Sequence, residues 1–153
     1  MYQLVAAIFI LLFSVGTIAK TYSEEQLVIL ANEFVTAKNA RQQPDTTEQD
    51  VEHYISLLAD EFIDEHVKFG VTITSKAELR KGMIAKMADE VIYSSITINQ
   101  TMTGANVVMI KMTEKGKVKP SHLDKVIEYK STNVVSLEFD ENKKIKRIRR
   151  HHG

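Results

Sequence analysis

The sequence predicts an α+β fold, with helices on one face of a curved, mainly antiparallel sheet. Three observations predict it. The first half carries three helix-start signatures, each followed by apolar residues at helical spacing. The second half alternates apolar and polar residues, as half-buried strands do. The chain then closes on a strand–turn–strand unit running from Val126 to Arg150. Helices first and strands second argue for helices covering one face of an antiparallel sheet. A strongly bent sheet with helices across its mouth forms a pocket.

Before the first helix, residues 1–19 read MYQLVAAIFILLFSVGTIA. An apolar run from Leu4 to Phe13 leads to the small residues Ser14, Gly16, Thr17 and Ala19. This is the pattern of a secretory signal peptide cleaved after Ala19, although the first segment has no Lys or Arg. Export to the periplasm or the outside of the cell is expected, and the mature domain then spans residues 20–153. The run from Leu4 to Ile18 is short for a membrane span, so membrane contact is expected only if this segment stays uncleaved.

Ser23-Glu24-Glu25-Gln26 opens helix one, with the stripe Leu27, Leu30, Ala31, Phe34 and Ala37 ending near Asn39. A linker with Pro44 follows. Thr46-Thr47-Glu48-Gln49 opens helix two, with Val51, Tyr54, Ile55 and Leu58 on its buried stripe. Phe62 and Ile63 are expected inside, and residues 71–74 form a short strand. Ser75-Lys76-Ala77-Glu78 opens helix three, with Leu79, Met83 and Met87 facing the core. Strands are expected over residues 91–100 and 106–113. Residues 101–105 connect them, and a polar loop over residues 114–122 leads to the final hairpin.

In that hairpin, Ile127, Tyr129, Ser131, Asn133, Val135, Leu137 and Phe139 share one face. A three-residue loop, Asp140-Glu141-Asn142, with Asn142 left-handed, sets Leu137 opposite Ile145, Glu138 opposite Lys144 and Val134 opposite Ile148. That register places Arg147 and Arg149 on the face of Val135, Asn133 and Tyr129.

Composition narrows the function. At 153 residues, 44% hydrophobic and 26% charged, the chain is one globular domain with a real core. Formal net charge is +0, so no overall field draws nucleic acid. The basic run from Lys143 to Arg150 lacks interleaved aromatics, and no nucleic-acid partner is expected. There is no cysteine, which excludes disulfides, thiolate metal sites and a cysteine nucleophile. Gly-rich phosphate loops, Ser-His-Asp signatures and dinucleotide fingerprints are missing from the sequence, so no cofactor is expected. His151 and His152 point to opposite faces of a strand and do not ligate one ion, so no metal is expected.

Three pieces then carry a resemblance: Phe34-Val35-Thr36-Ala37-Lys38-Asn39; Leu57-Leu58-Ala59-Asp60-Glu61 followed by Ser75-Lys76-Ala77-Glu78-Leu79-Arg80; and Val134-Val135-Ser136-Leu137-Glu138-Phe139-Asp140 running into Lys144-Ile145. In order and spacing, from about Glu24 to Arg150, the chain resembles the SnoaL-like branch of the nuclear-transport-factor-2-like superfamily. The resemblance implies a cone-shaped α+β barrel, often a homodimer through the sheet. It covers isomerases, cyclases, dehydratases, epoxide hydrolases and non-enzymatic binders, so the site must decide the function. The isomerase pattern places its oxyanion-hole tyrosine on Phe34, its protonated acid on Val135 and its general base near His66. Two of these three roles are lost here, which argues against isomerase chemistry.

The candidate catalytic residue is His66, whose imidazole suits acid–base work near neutral pH. The candidate ligand-binding residues are Phe34, Tyr54, Tyr129, Asn133, Arg147 and Arg149, the arginines as a bidentate clamp for carboxylate or phosphate. Three functions follow. The first is an exported domain binding a small, partly apolar molecule in its cone. The second is a cofactor-independent lyase, isomerase or cyclase, with His66 as general acid–base and Arg149 or Asn133 steadying an oxyanion. The third is a dimerisation or protein-interaction module using the sheet.

Overall fold

The computed structural model describes residues 21–153. The expected signal peptide lies outside the described residues. Three helices run over Glu24–Ala40 (α1), Glu48–Ser56 (α2) and Lys76–Lys86 (α3). Six strands run over Leu58–His66 (β1), Val71–Ile73 (β2), Glu90–Gly104 (β3), Val107–Lys119 (β4), Ile127–Phe139 (β5) and Ile145–His152 (β6). They form one sheet in the order β2-β1-β6-β5-β4-β3. Every pairing is antiparallel except β1 with β6. This is the expected α+β architecture, helices packed on a mainly antiparallel sheet.

Local chemistry starts each helix. Ser23 Oγ accepts from the Gln26 N–H, and the Gln26 side chain accepts from the Ser23 N–H. The box of α2 sits one residue later than the sequence suggests. Thr47 and Asp50 form it, at 2.8 Å from Thr47 N–H to Asp50 Oδ2. Thr46 instead donates its hydroxyl to the Ala40 and Gln43 carbonyls and ties off the linker. Ser75 Oγ accepts from the Glu78 N–H and starts α3.

The core is the meeting of these helices with the concave sheet face. Leu27, Ala31, Phe34 and Ala37 of α1 pack with Val51, Tyr54 and Ile55 of α2. Val108, Ile110 and Met112 of β4 and Val135, Leu137 and Phe139 of β5 meet them.

Three expectations need correction. Leu58 is buried, but it opens β1 and does not continue α2. The Ile145 N–H donates to the Leu57 carbonyl at 2.9 Å and draws this segment into the sheet. Pairing with β6 outweighs the helical spacing. Second, β3 and β4 run through the residues expected to be loop, joined by a tight turn in which Asn106 has φ 55°.

The third correction decides the site. The hairpin loop is longer than three residues, with Lys143 left-handed at φ 64°. Asp140 Oδ1 accepts from both the Asn142 and Lys144 N–H groups and holds the loop. Phe139 faces Ile145, a bulge follows, and Leu137 then faces Ile148. The bulge turns both isoleucines inward, although they are three residues apart. Strand alternation carries this forward: Arg150 pairs with Val135 and His152 with Asn133. Arg147 and Arg149 fall on the opposite face.

Candidate functional site

A cavity of about 560 Å³ opens between α3 and the concave sheet face. Ile73, Leu79, Met83, Met112 and Val135 give it apolar walls. Lys38, Arg41, Asp64, His66, Glu114, Asn133, Arg150 and His152 give it a polar end. Helix α1 delivers Lys38 at the position where its apolar stripe would continue from Phe34. Arg41 follows at the helix cap, its N–H bonded to the Ala37 carbonyl. Asp64 and His66 come from β1, Met112 and Glu114 from β4, Ser131, Asn133 and Val135 from β5, and Arg150 and His152 from β6.

Two ion pairs organise the polar end. Arg150 grips Asp64 through two hydrogen bonds of 2.8 Å each, and both side chains are buried. Arg150 also donates to the Tyr54 hydroxyl at 2.9 Å. Lys38 donates to Glu114 at 2.6 Å, with 5% of its side chain exposed. Asn133 donates to the other Glu114 oxygen at 3.1 Å and to Ser131 Oγ at 3.2 Å.

These surroundings shift the titrating groups. Burial pushes the Lys38 ammonium down to about 8, and Arg41 and Arg150 add repulsion that Glu114 only partly offsets. Burial pushes the Glu114 carboxyl up, but Lys38 and Asn133 prevail and hold it below the usual range. Burial and then the Arg150 charge lower His66, despite Asp64. His152 is lowered for the same two reasons.

Arg41 stands apart. Its guanidinium lies 4.7 Å from the centre of the Tyr54 ring. It makes no ion pair among the described residues, and its buried Nε has no hydrogen-bond acceptor. Asn133 Oδ1 is likewise buried without a donor.

His66 and His152 meet at 3.2 Å between Nδ1 and Nε2, with rings stacked at 5.4 Å. Asp64 Oδ1 is 3.8 Å from His66 Nε2. Asp64 has both oxygens committed to Arg150. Among the described residues, no group of three His, Asp or Glu side chains is arranged to hold a metal ion.

The residues singled out in the sequence divide. His66 and Asn133 line the cavity. Phe34 and Tyr54 are fully buried in the core behind it, and Tyr54 reaches the polar end through its hydroxyl. Tyr129 shares the concave face but lies beyond the cavity, its ring over Gly116 on the neighbouring strand. Arg147 and Arg149 do not join them. The bulge turns both outward, onto Glu65 at 3.9 Å and 3.0 Å. Lys38, Arg41, Glu114 and Arg150 escaped the sequence reading, and Asp64 was not among the candidate site residues. Lys38 and Arg41 occupy the apolar stripe of α1, four and seven residues after Phe34, and that was the available signal. Asp64 lies two residues after Phe62 on the same strand face, which becomes visible only once β1 is read as a strand.

No family model and no curated protein matches the sequence. Solved structures match the fold. A candidate SnoaL-like polyketide cyclase of Shewanella denitrificans superposes with a TM-score of 0.68 at 12% identity, over 84% of this chain and 90% of that one. The epoxide hydrolase/cyclase-like enzyme SalBIII, of pyran-ring formation in salinomycin, gives 0.66 at 14%, over 86% and 93%. A computationally designed 17-OHP binder gives 0.62 at 13%, over 83% and 91%. At such identities the likeness speaks for the backbone alone. Helices, sheet and neighbours agree: this chain has the SnoaL-like, nuclear-transport-factor-2-like fold.

Proposed function

We propose that this protein binds a small, partly apolar molecule in the cone. One observation carries the reading: the cavity of about 560 Å³, apolar along its walls and polar at one end, has the size and lining of a ligand site. Apolar burial supplies affinity and the polar end fixes orientation. A structural neighbour with a similar backbone is a computationally designed 17-OHP binder, which supports the reading. The test is a thermal-shift screen of small molecules on the full chain and on Gly82→Trp. Gly82 lines the cavity, and a Cβ built there meets nothing within 4 Å, so a larger side chain can extend from it. Binders should raise the melting temperature of the native chain and not of the filled variant. A stabilisation that survives Gly82→Trp places the ligand elsewhere and ends this reading.

A second reading rests on the histidine pair. His66 touches His152 at 3.2 Å within the cavity, and a lowered pKa keeps its imidazole neutral near pH 7, the form a general base needs. A cofactor-independent lyase, isomerase or cyclase would then use His66 for proton transfer and Asn133 to steady developing charge. Arg149, facing away onto Glu65, takes no part. With a substrate from the screen, His66→Ala should cut turnover by about 10²–10⁴-fold while binding persists. Unchanged turnover would remove the enzymatic reading.

Export belongs to the same proposal, and N-terminal analysis of protein from its native cell should find Lys20 first; a retained Met1 would refute it. Homodimerisation through the sheet, which the resemblance implies, predicts a dimer mass by light scattering.

A further inference from the structure

We propose that the ligand of this cavity is an organic acid: an apolar body carrying one carboxylate, received by Arg41. The inference rests on the small-molecule reading above and names the ligand's charge. It comes from pairing the ionic groups of the polar end. The cations there are Lys38, Arg41 and Arg150, and the anions are Asp64 and Glu114. Asp64 is fully used by Arg150, which takes one oxygen with Nε and the other with a terminal nitrogen. Glu114 is used by Lys38 on one oxygen and by Asn133 on the other. Among the described residues of the polar end, Arg41 is the cation left over. The rim groups do not change this. Lys86 pairs with Asp89 outside the cavity, and Glu78 is exposed.

An uncompensated guanidinium in a largely buried place is costly, because the protein offers it less stabilisation than water does. The guanidinium lies over the Tyr54 ring, and its Nε–H is buried without an acceptor. A planar fork held in place suits a carboxylate, which accepts two parallel hydrogen bonds. A carboxylate also restores equal numbers of positive and negative charges at the polar end. The apolar walls, with Leu79, Met83, Met112 and Val135, take the remainder of the molecule.

Titration calorimetry on the full chain tests this with acid and amide pairs of equal shape: 2-naphthoate against 2-naphthamide, and 4-phenylbutyrate against 4-phenylbutyramide. The acids should bind about tenfold to a hundredfold more tightly than their amides, the scale of a charge-assisted hydrogen-bonded pair. Arg41→Met should bring each acid down to the affinity of its amide and leave the amides unchanged. Arg41→Lys should keep part of the preference. The comparison on the native chain stands even if a variant fails to fold. Equal affinity for acid and amide would overturn the charge assignment and leave the small-molecule reading intact. A preference for the acids that survives in Arg41→Met would overturn the role of Arg41. Binding of none of the four compounds would overturn both.

Discussion

Asp64→Ala is the substitution with the largest consequence that can be worked from the geometry. It removes two hydrogen bonds of 2.8 Å and the only carboxylate on Arg150 among the described ion pairs. Arg150, 6% exposed, then stays buried as a lone cation with only the Tyr54 hydroxyl for an acceptor. Breaking a buried pair by removing one partner costs about 3–5 kcal/mol. For a domain of this size that is a fall of about 10–20 °C in melting temperature. The pair itself contributes little, because desolvation of both charges offsets most of their attraction. Asp64→Leu combined with Arg150→Met should therefore recover most of the loss, leaving about 1 kcal/mol for the Tyr54 hydroxyl. Chemical denaturation of the two single variants and the double variant measures the coupling. A loss below about 1 kcal/mol for Asp64→Ala, or a double variant as unstable as the sum of the singles, would refute this account of the polar end.

Three other expectations follow from the same region. The Lys38 ammonium should titrate at about 8 when followed by the NMR shift of its Cε. Glu114→Gln should move it lower still, because Glu114 is what holds the charge in place; a Lys38 that titrates like the surface lysines contradicts its burial. His66 should titrate below the ordinary imidazole value of about 6.5. The unfolded chain then binds more protons than the folded one between the two pKa values, so stability rises with pH through that window and is lost as pH falls from about 6.5. Denaturation between pH 5 and pH 8 should show this slope, with part of it removed in His66→Asn. Gly82→Ala should stabilise the fold by about 0.5–1 kcal/mol, since Gly82 sits inside α3 and open space surrounds the new methyl. A loss of stability there would mean that α3 needs the glycine for packing.

The sequence showed the helices and the inner face of β5 because their signals are local. Ser23 with Gln26 and Ser75 with Glu78 mark helix starts on their own. Alternation places Asn133 and Val135 on one face of β5 whatever they pair with. The site was less legible because its geometry depends on pairing across the chain. Segment 58–66 mixes apolar and acidic residues without clear period, and becomes β1 by pairing parallel with β6 and antiparallel with β2. The bulge between the Glu138–Arg147 and Phe139–Ile145 pairs is set by the Asp140 loop and by the need to bury both Ile145 and Ile148. Moving the register by an odd number of residues exchanges the faces of β6. That single shift replaces Arg147 and Arg149 with Arg150 and His152 in the cavity. The guanidinium that lines the cavity belongs to Arg150, a neighbour in sequence of the two arginines that were named.

The composition of the polar end bears on why it exists. Buried ion pairs are poor instruments of stability, and apolar residues of similar volume would serve the core as well or better. Here the buried ions are gathered at one end of one cavity, and Val51, Leu58 and Phe62 fill the core outside its lining. Asp64 orients Arg150, and Glu114 orients Lys38 and Asn133, so these three groups at the cavity surface are each held by a neighbour. Groups held in advance do not need to be ordered when a ligand arrives, which is how a polar end contributes selectivity at low entropic cost. Arg41 shows the same economy by different means, fixed by the Tyr54 ring and not by a carboxylate. The ion pairs hold the scaffold of the site, and Arg41, which they leave over among the described residues of the polar end, is the group that the proposed ligand would meet.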